Sequence, residues 1–310
     1  MVYVFRNSNN YRKDTPKGSC DLLIVSLIHQ KSDMVYYMAK NIQKYVKGSF
    51  VWIAHYNNDD PIDETKLPSW AWLVRDTNVT LPYHYHRLRL FGINKALSFA
   101  IQSGLHFTNV MTFSSGSAFY KEFQVPTKPR VCLDSHEKIF DPTAKLQHVE
   151  EISVKYSGEC GKYLQSIGSF PWQYLHGDED VELQMLIQKR NFKWFRGNQW
   201  SGQIWPYEVA VMLAEDIATL YDSPNTPYLD YVCEEIYLST YAYNYAKEHS
   251  ITIEHSEVII NWQTNYNIQN PQYIDYLRKN PSFQGHAVCK LSDDIRDPVR
   301  RYIEESMTYK

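Results

Sequence analysis

The chain has 310 residues, of which 44% are hydrophobic and 22% charged, so it can bury the core of one large α/β domain or of a domain with a C-terminal extension. Its 35 acidic and 32 basic residues leave a net charge of -3, which offers no broad basic face and argues against nucleic acid as the main partner. The 25 tyrosines and 8 tryptophans suit either a carbohydrate surface or an ordinary aromatic core.

The spacing of the cysteines and the lengths of the apolar runs indicate the cellular compartment in which the protein is expected. Five cysteines are spread along the chain without CxxC spacing, which argues against a zinc site and against a dense disulfide framework. No apolar run is long enough to span a membrane, and residues 1–10 contain no signal-peptide core. We therefore expect a soluble, cytoplasmic protein without a stable membrane span, and the sequence leaves its oligomeric state open.

Strand and helix patterns alternate along the first half of the chain. In order, they predict a strand at 21–28, a helix with Ser32 as its N-cap, Asp33 in its first turn and a stop at Gly48, strands at 50–54 and 70–74, a helix at 85–102 and a strand at 108–113. This spacing implies right-handed crossovers and a mainly parallel sheet. Ligands of such sheets collect beyond the carboxyl ends of the strands, which are here the segments 29–32, 55–60 and 114–117.

The second half of the chain is less regular. Its patterns predict helices at 181–189, 207–221 and 234–249, and short strands at 251–253 and 258–262. No repeat, low-complexity block or linker separates the two halves. We therefore predict one α/β domain over 1–310 with an irregular C-terminal portion.

The usual phosphate-binding signatures are missing. The chain has neither GxGxxG after the first strand nor GxxxxGK[ST], which excludes the dinucleotide and P-loop classes. A metal-dependent nucleotide-sugar enzyme would be expected to carry Asp-x-Asp at a strand end, but the candidate position reads Ser114-Ser115-Gly116-Ser117. Asp59-Asp60 and Asp293-Asp294 are adjacent acids in polar settings that fit solvated loops. If the protein handles a diphosphate, basic side chains have to neutralise it.

Six short segments follow one another in the order of a known family pattern. They are IVSLIHQK (24–31), WIAHYN (52–57), VMTFSSGSAF (110–119), RGNQW (196–200), CEEIYLST (233–240) and AVCKLS (287–292). Together they resemble the core-2/I-branching glycosyltransferase family, which includes peptide O-xylosyltransferases. The family counterparts are an apolar strand ending in His, then IHVD, INLSGxDYPL, KGSQW, PDExFxxT and FARKFD. The resemblance covers roughly residues 22–300, and the chain departs from it at Asn57 and Ser117, where the family has an acid.

The resemblance implies a GT-A fold, which is Rossmann-like, and an inverting transfer that works without a metal or other cofactor. It implies a nucleotide-binding half at about 20–125 and an acceptor-binding, catalytic half at about 126–310. The substrates would be a nucleotide-sugar donor, with UDP as the nucleotide, and a glycan acceptor.

The resemblance also assigns the acid pair at the start of the helix predicted at 234–249. Glu235 would be the general base that takes the proton of the acceptor hydroxyl. Glu234 would help on the acceptor side, although acids in a first helical turn are also favoured by the helix dipole alone.

Lys290 is implied as the ligand of the diphosphate, in the place of a metal, although a lysine can also simply close an edge strand. Arg278, Arg296, Arg300 and Arg301 lie near it in sequence, and Arg278 is the preferred second cation.

Six further candidates follow from the matched segments and their surroundings. On the donor side these are His29, Asn57, Ser115 and Trp200, and on the acceptor side Ser117 and His84. Trp200 also fits a core tryptophan, His29 also fits a cap for the next helix, and His84 fits the surface start of an amphipathic helix.

The resemblance as a whole implies an inverting, metal-independent transferase that moves xylose or N-acetylglucosamine from a UDP donor to a glycan hydroxyl. One alternative is a metal-dependent enzyme of the same fold that uses another acid pair, for example Asp59-Asp60. Another is a non-catalytic carbohydrate-binding protein of the same fold, which would need neither Glu235 nor Lys290.

Overall fold

A computed structural model describes residues 14–58, 60–75, 86–134, 152–153, 181–195, 200–221, 233–259, 270–280 and 285–306. The strands are β1 (Gly18–Ile28), β2 (Val46–Lys47), β3 (Phe50–Tyr56), β4 (Ala71–Arg75), β5 (Leu105–Thr112), β6 (Ala118–Phe119), β7 (Phe123–Gln124), β8 (Val131–Asp134), β9 (Ile152–Ser153), β10 (Trp194–Phe195), β11 (Ile204–Pro206), β12 (Ile253–His255), β13 (Val258–Ile259) and β14 (Ala287–Val288). The helices are α1 (Ser32–Tyr45), α2 (His86–Gln102), α3 (Val181–Arg190), α4 (Tyr207–Tyr221), α5 (Cys233–Glu248), α6 (Gln272–Lys279) and α7 (Pro298–Glu305).

The central sheet has seven strands in the order β12-β8-β11-β5-β1-β3-β4. Of these strands only β11 runs against its neighbours, so the sheet is mostly parallel, as predicted. The described fold is thus mixed α/β and consistent with a Rossmann-like arrangement. Because β8, β11 and β12 follow residue 126, both halves of the chain contribute strands to this one sheet.

The long strand β1 lies at the centre because both of its faces are apolar. Its side chains are almost all buried from Leu22 onward, as expected for a parallel strand covered on two sides. Leu23, Val25 and Leu27 pack into the cluster that contains the apolar faces of α2, α4 and α5. Leu22, Ile24 and Ile28 pack on the other side, with α1, α6 and α7. Helices therefore cover both faces of the sheet.

The predicted alternation over the first half of the chain is confirmed. The strands predicted at 21–28, 50–54, 70–74 and 108–113 correspond to β1, β3, β4 and β5, and the two helices to α1 and α2. In the second half α3, α4 and α5 match the predicted helices to within two residues, and β12 begins two residues later than predicted. The patterns did not predict β8, β11, β14, α6 or α7. None of the helices described is both long enough and apolar enough to cross a membrane.

The start of α1 differs from the prediction. Its N-cap position is Lys31, whose side chain makes no capping hydrogen bond. Instead Asp60, on the loop after β3, accepts a hydrogen bond from the backbone N–H of Ser32 at 2.8 Å. The assignment of Ser32 as the N-cap is therefore wrong, because the capping oxygen comes from a residue 28 positions away that a local pattern cannot reveal.

A small three-stranded sheet, in the order β13-β14-β6, lies beside the carboxyl end of β5. Strand β6 begins directly after Ser117, and β14 ends two residues before Lys290. Strand β14 is antiparallel to β6, which brings the chain after β14 back to the turn that follows β5. This pairing connects two segments that lie far apart in the sequence.

Candidate active site

The carboxyl ends of β1, β3 and β5 lie along one edge of the sheet, since these neighbouring strands are parallel. His29 follows β1 and Asn57 follows β3, and the backbone N–H of Asn57 donates to the carbonyl of Ile28 at 2.9 Å. The side-chain amide of Asn58 donates to the carbonyl of His29 at 2.8 Å. His29 and Asn57 therefore lie next to each other at the edge where parallel sheets bind their ligands.

A cluster of serine hydroxyls closes the end of β5. The Oγ atom of Ser117 lies 2.7 Å from that of Ser114 and 3.0 Å from that of Ser201. Ser115 is buried, and its carbonyl accepts a hydrogen bond from Nη2 of Arg300 at 2.9 Å. The candidates Ser115 and Ser117 thus lie at the predicted edge, and their described bonds shape the turn between β5 and β6.

Helix α5 carries the acid pair to the same region. Its register is held at Ser239, whose hydroxyl donates to the carbonyl of Glu235 at 2.7 Å and accepts from the side-chain amide of Gln203 at 2.9 Å. The carbonyl of Gln203 in turn accepts the backbone N–H of Thr112, the last residue of β5, at 3.0 Å. The first turn of α5 is therefore anchored to the end of β5, and the positive end of the helix dipole favours acids there.

Glu235 is buried at this position, with only 4% of its surface exposed. Its Oε2 atom has no hydrogen-bond partner among the described residues. Burial raises the pKa of Glu235 well above its ordinary value, and the neighbouring Glu234 carboxylate and Cys289 thiol raise it further, whereas Lys290 and Arg89 lower it. A buried carboxyl with a high proton affinity and one uncommitted oxygen has the properties of a proton acceptor.

Lys290 is exposed and lies near this carboxyl, since its ammonium group lowers the pKa of Glu235. Its backbone is in the left-handed region, with φ 65°, which costs a non-glycine residue about 1–3 kcal/mol. Hydrogen bonds on both sides hold this conformation. The backbone N–H of Cys289 donates to the carbonyl of Ile259 in β13 at 2.9 Å, and the backbone N–H of Leu291 donates to the carbonyl of Gly116 at 2.9 Å. The turn after β5 and the segment of Lys290 are thereby joined.

Arg89, near the start of α2, is a cation of the site that the sequence analysis missed. Its Nη1 atom lies 3.1 Å from Oε1 of Glu234, a side chain that is fully buried. Burial lowers the pKa of His29; Asp293 opposes this effect and the positive charge of Arg89 adds to it, so Arg89 acts electrostatically on His29 as well as on the acid pair. The sequence does contain a signal for Arg89, because it is a basic residue near a helix N-terminus. The helix dipole disfavours a positive charge there, so such a residue is expected to have a specific acidic partner.

Three candidates lie elsewhere or outside the described residues. Arg278 donates from Nε to the carbonyl of Tyr120 at 3.1 Å and from Nη2 to the hydroxyl of Ser306 at 2.8 Å, contacts that tie α6 to the chain after β6 and to the end of α7. Trp200 is 6% exposed and packs in the core with α2, α4 and α5. The structural contacts of Arg278 and the core packing of Trp200 explain why these two residues lie where they do. His84 lies outside the described residues.

The adjacent acids of the metal-dependent alternative have other partners where they are described. Asp60 caps α1, as noted above, and Asp59 lies outside the described residues. Asp293 accepts a hydrogen bond from the side-chain amide of Gln30 at 2.6 Å, and Asp294 pairs with Arg296 at 3.0 Å. Within the described ranges, no group of three or more His, Cys, Asp and Glu side chains is placed to hold a metal ion.

A separate cavity of about 360 Å³ lies beside β7, β12 and the start of β14. Its lining includes Arg130, which donates to Glu254 at 3.0 Å and lies 3.5 Å from Glu257. Glu257 also lies 2.6 Å from Nδ1 of His286. The charged groups of this cavity are thus already paired with one another, as in a structural ion-pair network.

The candidate site therefore combines a buried proton acceptor, Glu235, with the cations Lys290 and Arg89 at the edge where a parallel sheet binds ligands. Such an arrangement can bind an anion and accept a proton next to it. No family model matches the chain, and a search of curated proteins finds no match. The function is consequently inferred from the geometry and chemistry of the site.

Proposed function

We propose that the protein is an inverting, metal-independent glycosyltransferase with a GT-A fold, which moves xylose or N-acetylglucosamine from a UDP donor to a glycan hydroxyl. One observation carries the proposal: hydrogen bonds hold both the helix start that bears the buried acid Glu235 and the segment that bears the exposed cation Lys290 at the end of β5, although the two are distant in sequence. A transfer from a diphosphate needs these two functions next to each other.

Glu235 is the general base in this proposal. Its carboxylate takes the proton of the acceptor hydroxyl while that oxygen forms a bond to the anomeric carbon of the donor. The bond from that carbon to the diphosphate breaks on the opposite face, and its electron pair leaves with UDP, so the configuration inverts. One carboxylate is sufficient, because a nucleoside diphosphate departs without the acid assistance that a sugar oxygen requires.

Lys290 binds the diphosphate and stabilises its departure. Negative charge on the leaving phosphate grows as the bond to the sugar breaks, so a fixed ammonium group stabilises the transition state more than the bound donor. The exposure of Lys290 leaves it accessible to a ligand, and the bonds on both sides of it fix its backbone.

The convergence of the matched segments further supports the proposal. Five of the six segments that resemble the family supply residues to the candidate site: His29, Asn57, Ser115, Glu235 and Lys290. These segments were identified from their sequence motifs and the order of those motifs alone, and their spatial convergence is the arrangement that a shared site requires. The sixth segment contributes Trp200 to the core.

The test is turnover by the full chain with UDP-xylose or UDP-N-acetylglucosamine and a panel of glycan acceptors, followed by UDP release. Glu235→Gln should reduce turnover by roughly 10²-fold or more and leave UDP affinity within about twofold of wild type. The matched control is Glu248→Gln, at the exposed far end of the same helix, which should retain wild-type turnover. Near-normal turnover by Glu235→Gln would eliminate the assignment of the base.

Two further outcomes separate the alternatives. Loss of turnover in EDTA, restored by a divalent cation, would identify the metal-dependent enzyme of the same fold. UDP binding without UDP release, with every acceptor in the panel, would identify a carbohydrate-binding protein that does not catalyse transfer.

A further inference from the structure

The candidate base has a second buried carboxylate directly beside it. Glu234 precedes Glu235 in the first turn of α5 and has no exposed surface. Arg89 reaches it from α2, which packs against α5, and places Nη1 3.1 Å from Oε1 of Glu234. Arg89 itself is one-third exposed, with 33% of its side-chain surface accessible.

A base with a neighbour of the same charge holds its proton more tightly, because ionisation of the first carboxylate opposes ionisation of the second. Four groups are near enough to shift the pKa of Glu235, two of them upward and two downward. Glu234 belongs to the same helix, Arg89 comes from α2, and Cys289 and Lys290 come from the segment after β14. The two cations act against the proton affinity that Glu234 and burial impose.

The two cations differ in what happens to them when a donor binds. Under the proposed function, the diphosphate neutralises the exposed ammonium group of Lys290. Of the four groups named above, Arg89 then remains as the one positive charge near the acid pair. His29, which also lies near Arg89, has a pKa lowered mainly by burial and adds little positive charge.

We propose that Arg89 is a positioning residue for Glu235, because its salt bridge to Glu234 compensates the neighbouring carboxylate and leaves Glu235 able to accept a proton while the donor is bound. The role in turnover rests on the proposed function. The electrostatic relation among Arg89, Glu234 and Glu235 does not, and it can be measured without turnover.

The first test is the pH dependence of kcat at saturating donor. In Arg89→Gln the acid limb of the profile should move to higher pH by about 1 unit, the smaller end of what a nearby opposite charge produces. Arg89→Lys keeps the charge and should restore most of the wild-type profile. Glu234→Gln should move the limb to lower pH. The double variant of Arg89→Gln and Glu234→Gln should lie between the two single variants, close to wild type.

A matched control isolates the general cost of losing a buried ion pair. Arg190 pairs with the fully buried Asp216 through Nε at 2.7 Å, and no described contact joins it to Glu235. Arg190→Gln should therefore lower stability without moving the acid limb. An unmoved limb in Arg89→Gln, or a limb moved equally by Arg190→Gln, overturns the proposal.

UDP affinity distinguishes a positioning residue from a phosphate ligand. It should change less than about threefold in Arg89→Gln, since Arg89 is already bonded to Glu234. A loss of tenfold or more in UDP affinity, with the acid limb unmoved, would make Arg89 a ligand of the diphosphate and overturn the positioning role.

The second test does not require turnover. If no donor is turned over, the proposed function is refuted, but the electrostatic relation among Arg89, Glu234 and Glu235 can still be measured. The pH at which the difference in unfolding free energy between wild type and Glu235→Gln levels off reports the folded pKa of Glu235. That pH should rise by about 1 unit when both proteins also carry Arg89→Gln, and an unchanged value refutes the inference. If Arg89→Gln does not fold, Glu234→Gln takes its place: it should lower the pH at which the difference levels off, and the double variant with Arg89→Gln should return that pH close to the wild-type value.

Discussion

Replacing Glu235 by Gln should make the protein more stable at neutral pH, and the gain should depend on pH. The folded pKa of this carboxyl lies well above its ordinary value, mainly because of burial. Between the unfolded and the folded pKa, the native state binds more protons than the unfolded state, so stability falls as pH rises. Below the unfolded pKa of about 4.3 the group has no such effect, and above the folded pKa the loss is complete.

The magnitude follows from burial. Glu235 is 4% exposed, so solvent screens its charge little, and one oxygen of its carboxyl has no partner among the described residues. Each unit by which the folded pKa exceeds the unfolded value lowers the stability of the ionised protein by about 1.4 kcal/mol. Gln has nearly the same shape and does not ionise, so Glu235→Gln removes this loss. A shift of a single unit would already exceed the ±0.5 kcal/mol typical of surface substitutions.

The assay is urea unfolding of wild type and Glu235→Gln from about pH 4 to about pH 9, with the difference in unfolding free energy plotted against pH. The difference should grow in favour of the variant as pH rises and level off above the folded pKa. Glu248→Gln, at the exposed end of α5, should give a nearly constant difference. A constant difference for Glu235→Gln as well would refute the argument that this carboxyl is buried and hard to ionise.

Two other substitutions test the cation and the backbone of the site. Lys290→Ala should reduce UDP affinity roughly 10- to 150-fold, and turnover by more, with or without EDTA, as measured by calorimetry and UDP release. Lys279→Ala, an exposed lysine on α6, is its control and should bind UDP normally. Gly202→Ala and Gly18→Ala both replace a glycine at positive φ, but an added Cβ at Gly202 would lie 2.5 Å from that of Val258, whereas Gly18 has no atom within 4 Å. Both variants should be destabilised by the strain of alanine at positive φ, and the unfolding free energy of Gly202→Ala in urea should fall by about 1–3 kcal/mol more than that of Gly18→Ala. Equal losses of unfolding free energy would contradict the close packing at Gly202.

The order of the first elements was predictable because each carries its own pattern. Strand β1 is buried on both faces and is therefore a continuous apolar run, and α1 is amphipathic and long enough to show a helical period. Strands β11 and β14 have three and two residues, too few for any periodicity. Their places depend on pairing with distant strands, as when Ile204 pairs with Met111 in β5. Such pairing is set by tertiary packing rather than by local sequence.

The candidate site was predictable to a different degree at each residue. A patterned helix start locates Glu234 and Glu235 in a first turn, but nothing local says that both are buried. Arg278 was preferred as the second cation because it lies near Lys290 in sequence. The fold directs it to Tyr120 and the end of α7, and it brings Arg89 to the acid pair from the other half of the chain. Which charged residue of a helix faces a cleft depends on how that helix docks, and this is not encoded in its own sequence.

The two principal groups of the site need opposite environments, and the fold supplies both within a short distance. Removal from water raises the proton affinity of a carboxylate, whereas an ammonium group needs water to keep its charge. Glu235 obtains the first environment from a helix packed against α2, α4 and β8, and Lys290 obtains the second from an exposed turn after β14. With the environments exchanged, the carboxyl would ionise readily and be a weak base, and the lysine would tend to lose the charge that is proposed to bind phosphate. The placement of the carboxylate on a buried helix start and of the ammonium group on an exposed turn would therefore make proton acceptance and anion binding compatible in the proposed site.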